Sequence, residues 1–360
     1  MTPTATSSEL SAPRIGPFQL RTPFVQAALS GYSDWPMRIL ARRFGASYAL
    51  CEVLLDQFVL QLKGRERTKH HLKVTDEDHP AGGQLMGSSP EEFAPAALKL
   101  LEAGFDVIDI NFGCPVKKVL GRCRGGYHLS QPAVALEIVR RVRDALPPRV
   151  PLTLKMRRGI DDTAASRDRF FEILDGAFEA GVAAVTVHGR TVEQKYIGPS
   201  KWSFLREVKT HVGDRTILGS GDLFSAQACV DMLRETGVDG VTIARGAIGN
   251  PWIFSQAEAL WRGDALPDPP GIHEQRDILE EHFALALDTY GPERSTTPMR
   301  KFGVKYAKLH PRLDEVRSAF CIVKTPADWA KVLRTHYAED GPGNYPDADD
   351  SASGETCETP

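Results

Sequence analysis

Chemistry in this chain of 360 residues gathers where apolar runs end. The run from Phe105 to Ile110 reads as a short buried strand and gives way to Asn111-Phe112-Gly113-Cys114-Pro115, a Gly/Pro turn carrying one thiol. A cysteine there points into whatever cleft lies above the sheet. A buried structural cysteine is the alternative, since free Cys is among the most buried residue types. Lys155 and His188 close two further runs, and Gly219-Ser220-Gly221-Asp222 and Ala244-Arg245-Gly246-Ala247 close two more. Glycines let backbone N–H groups approach an anion and Arg245 adds a charge-assisted contact, so the last pair points to a phosphate-bearing ligand. With Gln84, Lys155 and His188 outline a large polar-rimmed pocket. No carboxylate cluster suited to a metal is present, which favours an organic cofactor over a metal ion.

Eight short apolar runs must position these groups: Phe24–Leu29, Tyr48–Val53, Gly83–Met86, Val107–Ile110, Leu152–Met156, Ala183–Val187, Thr216–Leu218 and Gly240–Ile243. Amphipathic stretches separate most of them, among them Pro90–Ala103, Gln131–Ala145, Ser166–Ala180 and Ser225–Thr236, with apolar residues at three- and four-residue spacing. Eight alternating units predict an α/β fold, a TIM (β/α)8 barrel, with polar and Gly-rich residues after each strand on the active face. A doubly wound open sheet would need an early Gly-x-Gly-x-x-Gly, which the first strand lacks. From Asn250-Pro251-Trp252 the alternation stops. Residues 263–271, rich in Pro and Asp, read as a linker to a small all-helical C-terminal domain built from Ile272–Tyr290, Thr297–His310 and Ala327–His336. The expected organisation is a disordered start at 1–14, a barrel at 15–262, helices at 263–337 and a disordered tail at 338–360.

Composition excludes several classes. Apolar content of 42% with 25% charged residues is ordinary for a globular chain. The six cysteines include no Cys-x-x-Cys, and no His pair stands at zinc spacing, so a disulfide framework, structural zinc and an iron–sulfur cluster are all disfavoured. A reducing cytoplasmic location is expected. No run approaches the ~20 apolar residues of a membrane span, and the Ser/Thr/Pro-rich start has no apolar signal core. Charge is uneven: the stretch from Ala338 onward holds seven Asp/Glu and no Lys/Arg, whereas Arg294 to Tyr337 holds ten Lys/Arg against three Asp/Glu.

The series Asn111-Phe112-Gly113-Cys114-Pro115-Val116-Lys117-Lys118-Val119, Leu154-Lys155-Met156-Arg157, Val187-His188-Gly189-Arg190-Thr191, Gly219-Ser220-Gly221-Asp222 and Ala244-Arg245-Gly246-Ala247-Ile248-Gly249-Asn250-Pro251-Trp252 resembles the tRNA-dihydrouridine synthase family. The similarity runs from about Phe18 to Tyr337. It implies an FMN-containing barrel with a helical C-terminal domain that reduces uridines in tRNA with NADPH. Hydride would pass from flavin N5 to uracil C6 and a proton from Cys114 to C5. By the same resemblance Asn111 would bond the uracil edge, with Arg157 and Arg190 near the substrate. Ala28, Leu29 and Ser30 would contact the cofactor, and Gln84 and Lys155 would flank the isoalloxazine. His188, Ser220, Gly221, Asp222, Ala244 and Arg245 would surround the FMN phosphate side. Arg300 and Lys301 resemble the family's basic pair for tRNA. The implied partners are tRNA and NADPH, with no metal and no membrane, and the chain is taken as a monomer.

The chain departs from the family pattern in three strand-end loops, which read Ala28-Leu29-Ser30-Gly31, Gly-Ser-Gly-Asp and Ala-Arg-Gly. Backbone contacts there would survive the changes. A larger departure is Gly121-Arg122-Cys123-Arg124-Gly125-Gly126-Tyr127-His128-Leu129, where the family has a small-residue turn; its two arginines, Tyr127 and His128 are expected to influence which uridine is accepted. Two rival readings share these residues. One is a flavin barrel acting on a free pyrimidine, which would not need the basic helical segment. The other is an RNA-binding barrel without redox activity, which would not need the thiol.

Overall fold

In the computed structural model, residues 11–62 and 68–346 are described. Two short strands, β1 (Arg14–Ile15) and β2 (Phe18–Gln19), pair antiparallel. Nine parallel strands follow: β3 (Phe24–Gln26), β4 (Tyr48–Leu50), β5 (Leu54–Leu55), β6 (Ala81–Met86), β7 (Val107–Phe112), β8 (Leu152–Arg157), β9 (Ala184–His188), β10 (Ile217–Ser220) and β11 (Gly240–Ile243). Pairing of β11 with β3 and of β4 with β6 closes eight of them into a barrel, with β5 as a short extension against β6. Nearly every strand residue is buried, as a parallel sheet covered on both faces requires.

The outer helices are α1 (Trp35–Arg43), α2 (Asp56–Gln61), α3 (Pro90–Glu102), α4 (Lys117–Leu120), α5 (Pro132–Ala145), α6 (Ala164–Glu179), α7 (Trp202–Val212), α8 (Ala226–Thr236) and α9 (Trp252–Arg262). Several start where the sequence signals a cap: the side chains of Asp34, Thr163 and Ser225 accept from the backbone N–H groups of Met37, Ser166 and Ala228. Four further α-helices follow among the described residues, α10 (Ile272–Tyr290), α11 (Thr296–Tyr306), α12 (Leu313–Cys321) and α13 (Pro326–His336). None of the described helices is long and apolar enough to cross a membrane.

Two apolar cores differ in what they position. Val25, Tyr48, Leu50, Val107, Ala184 and Leu218 fill the lower barrel interior, closed from below by Ile15 and Leu20. Above them the interior turns polar, and that change of character makes the strand ends a site. The second core lies between strands and helices and continues without a break into the helical region through Phe254, Leu279, Phe302, Tyr306, Phe320 and Trp329. Ring contacts join the two parts: Tyr32 meets Phe302 edge-on at 5.5 Å, and Trp252 of α9 meets Tyr306 edge-on at 6.5 Å.

The chain ends differ from expectation where they can be seen. Residues 338–346, expected to be disordered, run along the helical region: Ile272 N–H donates to the Gly341 carbonyl at 2.9 Å, His273 N–H to Asp340 Oδ1 at 3.0 Å, and Asn344 N–H to the Leu309 carbonyl at 2.8 Å. The first turn of a helix leaves backbone donors unmet, and Gly341 and Asp340 satisfy two of them. Residues 11–14 are likewise engaged, with Pro13 accepting from Leu20 N–H. The rest of both ends, 1–10 and 347–360, lies outside the described residues.

The helical region is also held by one buried polar contact. Tyr290 Oη at the end of α10 donates to Asp34 Oδ2 at 2.6 Å, while Asp34 Oδ1 caps α1. Burial pushes the Asp34 carboxyl up to about 6, and the Tyr290 bond opposes that rise. Above this value the group is ionised and the lost bond would be charge-assisted; well below it the group is neutral. Tyr290→Phe should therefore destabilise the fold by ~1–3 kcal/mol at pH 8 and by less at pH 4, measured by urea denaturation at the two pH values.

Candidate active site

Strand register sets the site before any loop does. Gln84 on β6 pairs with Asp109 on β7, Asp109 with Thr153 on β8, Asn111 with Lys155, Arg157 with His188 on β9, and His188 with Ser220 on β10. These registers place the polar side chains in successive rows, which together form a polar layer toward the carboxyl ends of the strands. Asp109 is buried, and its carboxylate accepts from Thr153 Oγ1 at 2.6 Å and Gln84 Nε2 at 2.7 Å. Gln84 Oε1 accepts from Asn111 Nδ2 at 2.7 Å, and Asn111 Oδ1 accepts from Gly113 N–H at 2.9 Å. The Asn111 amide thus keeps one donor and one acceptor for a ligand.

Cys114 follows directly on this chain. Burial pushes its thiol above the usual cysteine range, against a weaker opposing pull from Val116 N–H and Arg157, so the sulfur is protonated at neutral pH. Arg157 fixes the surrounding loops: Nε donates to the Gly113 carbonyl at 2.9 Å, and Nη1 to the carbonyls of Thr191 and Lys195 at 2.9 and 2.6 Å. Its Nη2 has no bond among the described residues, leaving two N–H donors.

The layer opens into a cavity of about 680 Å³, within the ~300–1,000 Å³ span of small-molecule and cofactor sites. Lys155, Arg157 and Arg245 line it from the barrel. Burial lowers Lys155 to about 8 and Arg157 to about 10. His188 Nδ1 accepts from Arg190 N–H at 3.1 Å, so its proton sits on Nε2. Burial among Arg157, Lys155, Arg190 and Arg245 drives the ring far below its usual pKa and keeps it neutral. Such a concentration of buried positive charge suits an anionic ligand. The β10 loop supports that reading: Gly221 sits at φ +118°, and its missing side chain leaves room for Ser200.

The expected residues converge. Cys114, Asn111, Gln84, Lys155, Arg157, His188, Ala28, Leu29, Ser30, Ser220, Gly221, Asp222, Ala244 and Arg245 all line the cavity, and Arg300 and Lys301 on α11 line its mouth. Arg190 does not. Expected near the substrate, it is buried behind the wall, where Nη2 donates to both Asp222 carboxylate oxygens at 2.6 and 2.8 Å and to the Gly198 carbonyl. It therefore ties the loop after β9 to the loop after β10. The departing segment after α4 is also away from the cavity wall: Arg124 and His128 are buried, and Arg122 and Cys123 face outward.

Sequence reading missed Arg317 and Tyr196 among the lining residues. Arg317 on α12 joins Arg300, Lys301 and Lys305 of α11 at the mouth, and only the local basic excess hinted at it. Tyr196, half exposed, lies 5.4 Å from the Arg157 guanidinium and 4.9 Å from that of Arg245. No periodic pattern marks its loop. Among the described residues no group of His, Cys, Asp and Glu could hold a metal ion.

Comparison with known proteins gives one answer. The profile of the family described as "Dihydrouridine synthase (Dus)" matches residues 25–340. A "Probable tRNA-dihydrouridine synthase" of Rickettsia conorii is 32% identical over 313 residues, covering 87% of this chain and 92% of the relative. The "tRNA-dihydrouridine synthase B" of Xanthomonas axonopodis pv. citri is 32% identical over 325 residues, covering 90% and 95%. Two solved structures share the fold at low identity: histamine dehydrogenase from Rhizobium sp. 4-9 (15% identity, TM-score 0.52, covering 82% of this chain and 51% of that one) and 2-naphthoyl-CoA reductase (11%, TM-score 0.56, covering 71% and 52%). With a profile match over most of its length and relatives at 32% identity across nearly all of theirs, the chain belongs to the dihydrouridine synthase family of oxidoreductases.

Proposed function

We propose that this protein reduces the C5–C6 double bond of uridine in tRNA to 5,6-dihydrouridine, with FMN as cofactor, NADPH as reductant and Cys114 as proton donor. The observation that carries the reading is a protonated thiol in the wall of a cation-lined cavity of about 680 Å³. FMN suits the donors present: Lys155, Arg245 and the Nε2–H of neutral His188 offer charge and hydrogen bonds to a phosphate and an electron-rich ring, and the Gly-rich ends of β10 and β11 line the same wall. When bound, FMN supplies hydride transfer, with NADPH as the source.

The chain's own residues do the rest. Asn111 orients the uracil with its spare donor and acceptor, held in direction by Gln84 and Asp109. The Nη2 of Arg157 adds two donors beside Cys114. Cys114 Sγ–H gives its proton to C5, a general-acid role that needs the thiol rather than the thiolate. Arg300, Lys301, Lys305 and Arg317 present four cations at the mouth, where the sugar–phosphate backbone of a flipped-out nucleotide would lie. A free pyrimidine would give those cations nothing to bind.

Purified protein should be yellow, and Cys114→Ala should keep FMN and accept hydride from NADPH at the wild-type rate. Reoxidation of its flavin by tRNA should slow by roughly 10²-fold or more in rapid mixing. In the wild type this second step should lose rate only above the usual thiol range, because a general acid works in its protonated form and burial raises the Cys114 pKa.

Affinity of flavin-free protein for FMN should be level from about pH 7, where the phosphate monoester is fully ionised, to about pH 8 and fall above it. Lys155 is charged below about 8, and above that value it must take up a proton to meet an anionic ligand. Lys155→Met should flatten the dependence in a fluorescence titration. Arg300→Ala combined with Arg317→Ala should weaken tRNA binding and reduce the slope of log affinity against log salt by roughly 0.7–0.9 per charge removed, with NADPH-driven flavin reduction unchanged. Wild-type affinity and slope would instead favour the free-pyrimidine reading.

A further inference from the structure

The segment after α4 sends no side chain into the cavity. It turns back as a 3₁₀ helix over Gly125–Ser130 and presses on the rear of Cys114. Gly126 N–H donates to the Cys114 carbonyl at 3.1 Å. Gly125 holds φ +58°, and a Cβ added there would lie 2.8 Å from the Cys114 Cβ and 3.1 Å from Met86 Sδ. Backbone of this segment therefore forms the floor on which the thiol-bearing residue rests.

The floor is itself pinned by polar side chains. Arg124, 8% exposed, donates from Nη2 to Gln57 Oε1 at 3.0 Å. His128, 1% exposed, bonds through Nε2 to the Gly87 carbonyl at 3.0 Å, and its ring lies 4.9 Å from Phe112, two residues before Cys114. The carbonyl can only accept, so Nε2 carries the proton, and burial keeps the ring neutral. Asp56, fully buried beside Gly87 at the start of α2, faces the same cluster and feels the Arg124 charge. Arg124 Nε, His128 Nδ1 and Asp56 Oδ2 are buried without a protein partner among the described residues. Apolar side chains would fill this space without unmet polar atoms. They would not supply two directional bonds that fix the segment to Gly87, just past β6, and to α2.

We infer that Arg124 and His128 are positioning residues for Cys114, holding the Gly125–Gly126 floor so that the thiol faces the cavity. The inference rests on the proposed role of Cys114 as proton donor. These side chains, expected to influence which uridine is accepted, act from behind the thiol.

The test uses the purified flavoprotein in a Cys123→Ser background, because Cys123 is exposed and would also react. Alkylation of Cys114 by iodoacetamide is followed against pH by peptide mass spectrometry, and the NADPH and tRNA half-reactions are timed separately. His128→Leu should change the pH midpoint of alkylation and slow tRNA-driven reoxidation about tenfold, with NADPH-driven reduction within about twofold of wild type. His128→Gln, which can still donate to the Gly87 carbonyl, should restore both. Gln57→Leu, an exposed position that removes the Arg124 partner without opening the core, should give a milder form of the same pattern. Wild-type alkylation profiles and reoxidation rates in both His128→Leu and Gln57→Leu would overturn the inference. So would equal losses in the two half-reactions that His128→Gln fails to restore. Cys114→Ala in parallel separates the two levels: full reoxidation there removes Cys114 from the reaction and this inference with it. Loss there beside wild-type behaviour in the other variants overturns the inference alone.

Discussion

An ionised carboxylate accepts hydrogen bonds and donates none, and in the middle of this barrel that asymmetry has long reach. Asp109 takes the Thr153 hydroxyl and the Gln84 amino group. Gln84 must then turn its oxygen toward Asn111, which meets it with its own amino group and turns its oxygen to Gly113 N–H. Every amide in the series points one way because the first member cannot donate. The residue after Gly113 is the thiol. Burial pushes the Asp109 carboxyl upward on balance, and the bonds from Thr153 and Gln84 and the charge of Lys155 offset part of that rise, so Lys155 helps keep the whole series oriented.

The upper cavity concentrates positive charge in a place that disfavours it. Lys155 and Arg157 both have lowered pKa values from burial, and His188 is driven neutral by burial and by the surrounding cations. Asp222 is the local counterweight: it takes Arg190 as a near-ideal pair and lies 3.9 Å from Arg245. The carboxylate also accepts from Ser200 N–H at 2.6 Å, so one side chain joins the loops after β9 and β10. With Arg190 committed there, Lys155, Arg157 and Arg245 remain to face a ligand. The helical region adds Arg300, Lys301, Lys305 and Arg317 at the mouth, and the unbroken apolar core beneath gives those four cations a fixed place relative to the barrel.

Much of this was legible from residue order. Apolar runs ending in polar or Gly-rich turns located all eight barrel strands, because a strand buried on both faces has to be apolar and its end has to be something else. The same rule placed Cys114, Asn111, Lys155, His188, Ser220 and Arg245 at the active face. What could not be read was which polar side chain serves the ligand and which serves the protein. Arg190 and Asp222 lie 32 positions apart and meet only when β9 and β10 pair. Arg317 reaches the mouth through the packing of α12 on α11, and Tyr196 through a loop without period. The stretch at 338–346 reads as a solvated acidic tail, yet the unmet donors at the start of α10 give its carbonyls and carboxylates partners.

The protonation state of Cys114 decides what kind of chemistry the site can do. A thiol surrounded by cations is ordinarily drawn toward the thiolate and becomes a nucleophile. Here the Arg157 guanidinium is held by three backbone carbonyls through Nε and Nη1 and is itself partly desolvated, so its pull on the sulfur is smaller than the penalty of burying a negative charge. The net shift is upward, and the sulfur keeps its proton. Packing behind the residue works in the same direction: Gly125 and Gly126 close against its Cβ and carbonyl, leaving the side chain the cavity as its open side. The same residue type on an exposed, cation-facing turn would be drawn toward the thiolate; buried on this floor it keeps its proton, the form that the proposed acid role requires.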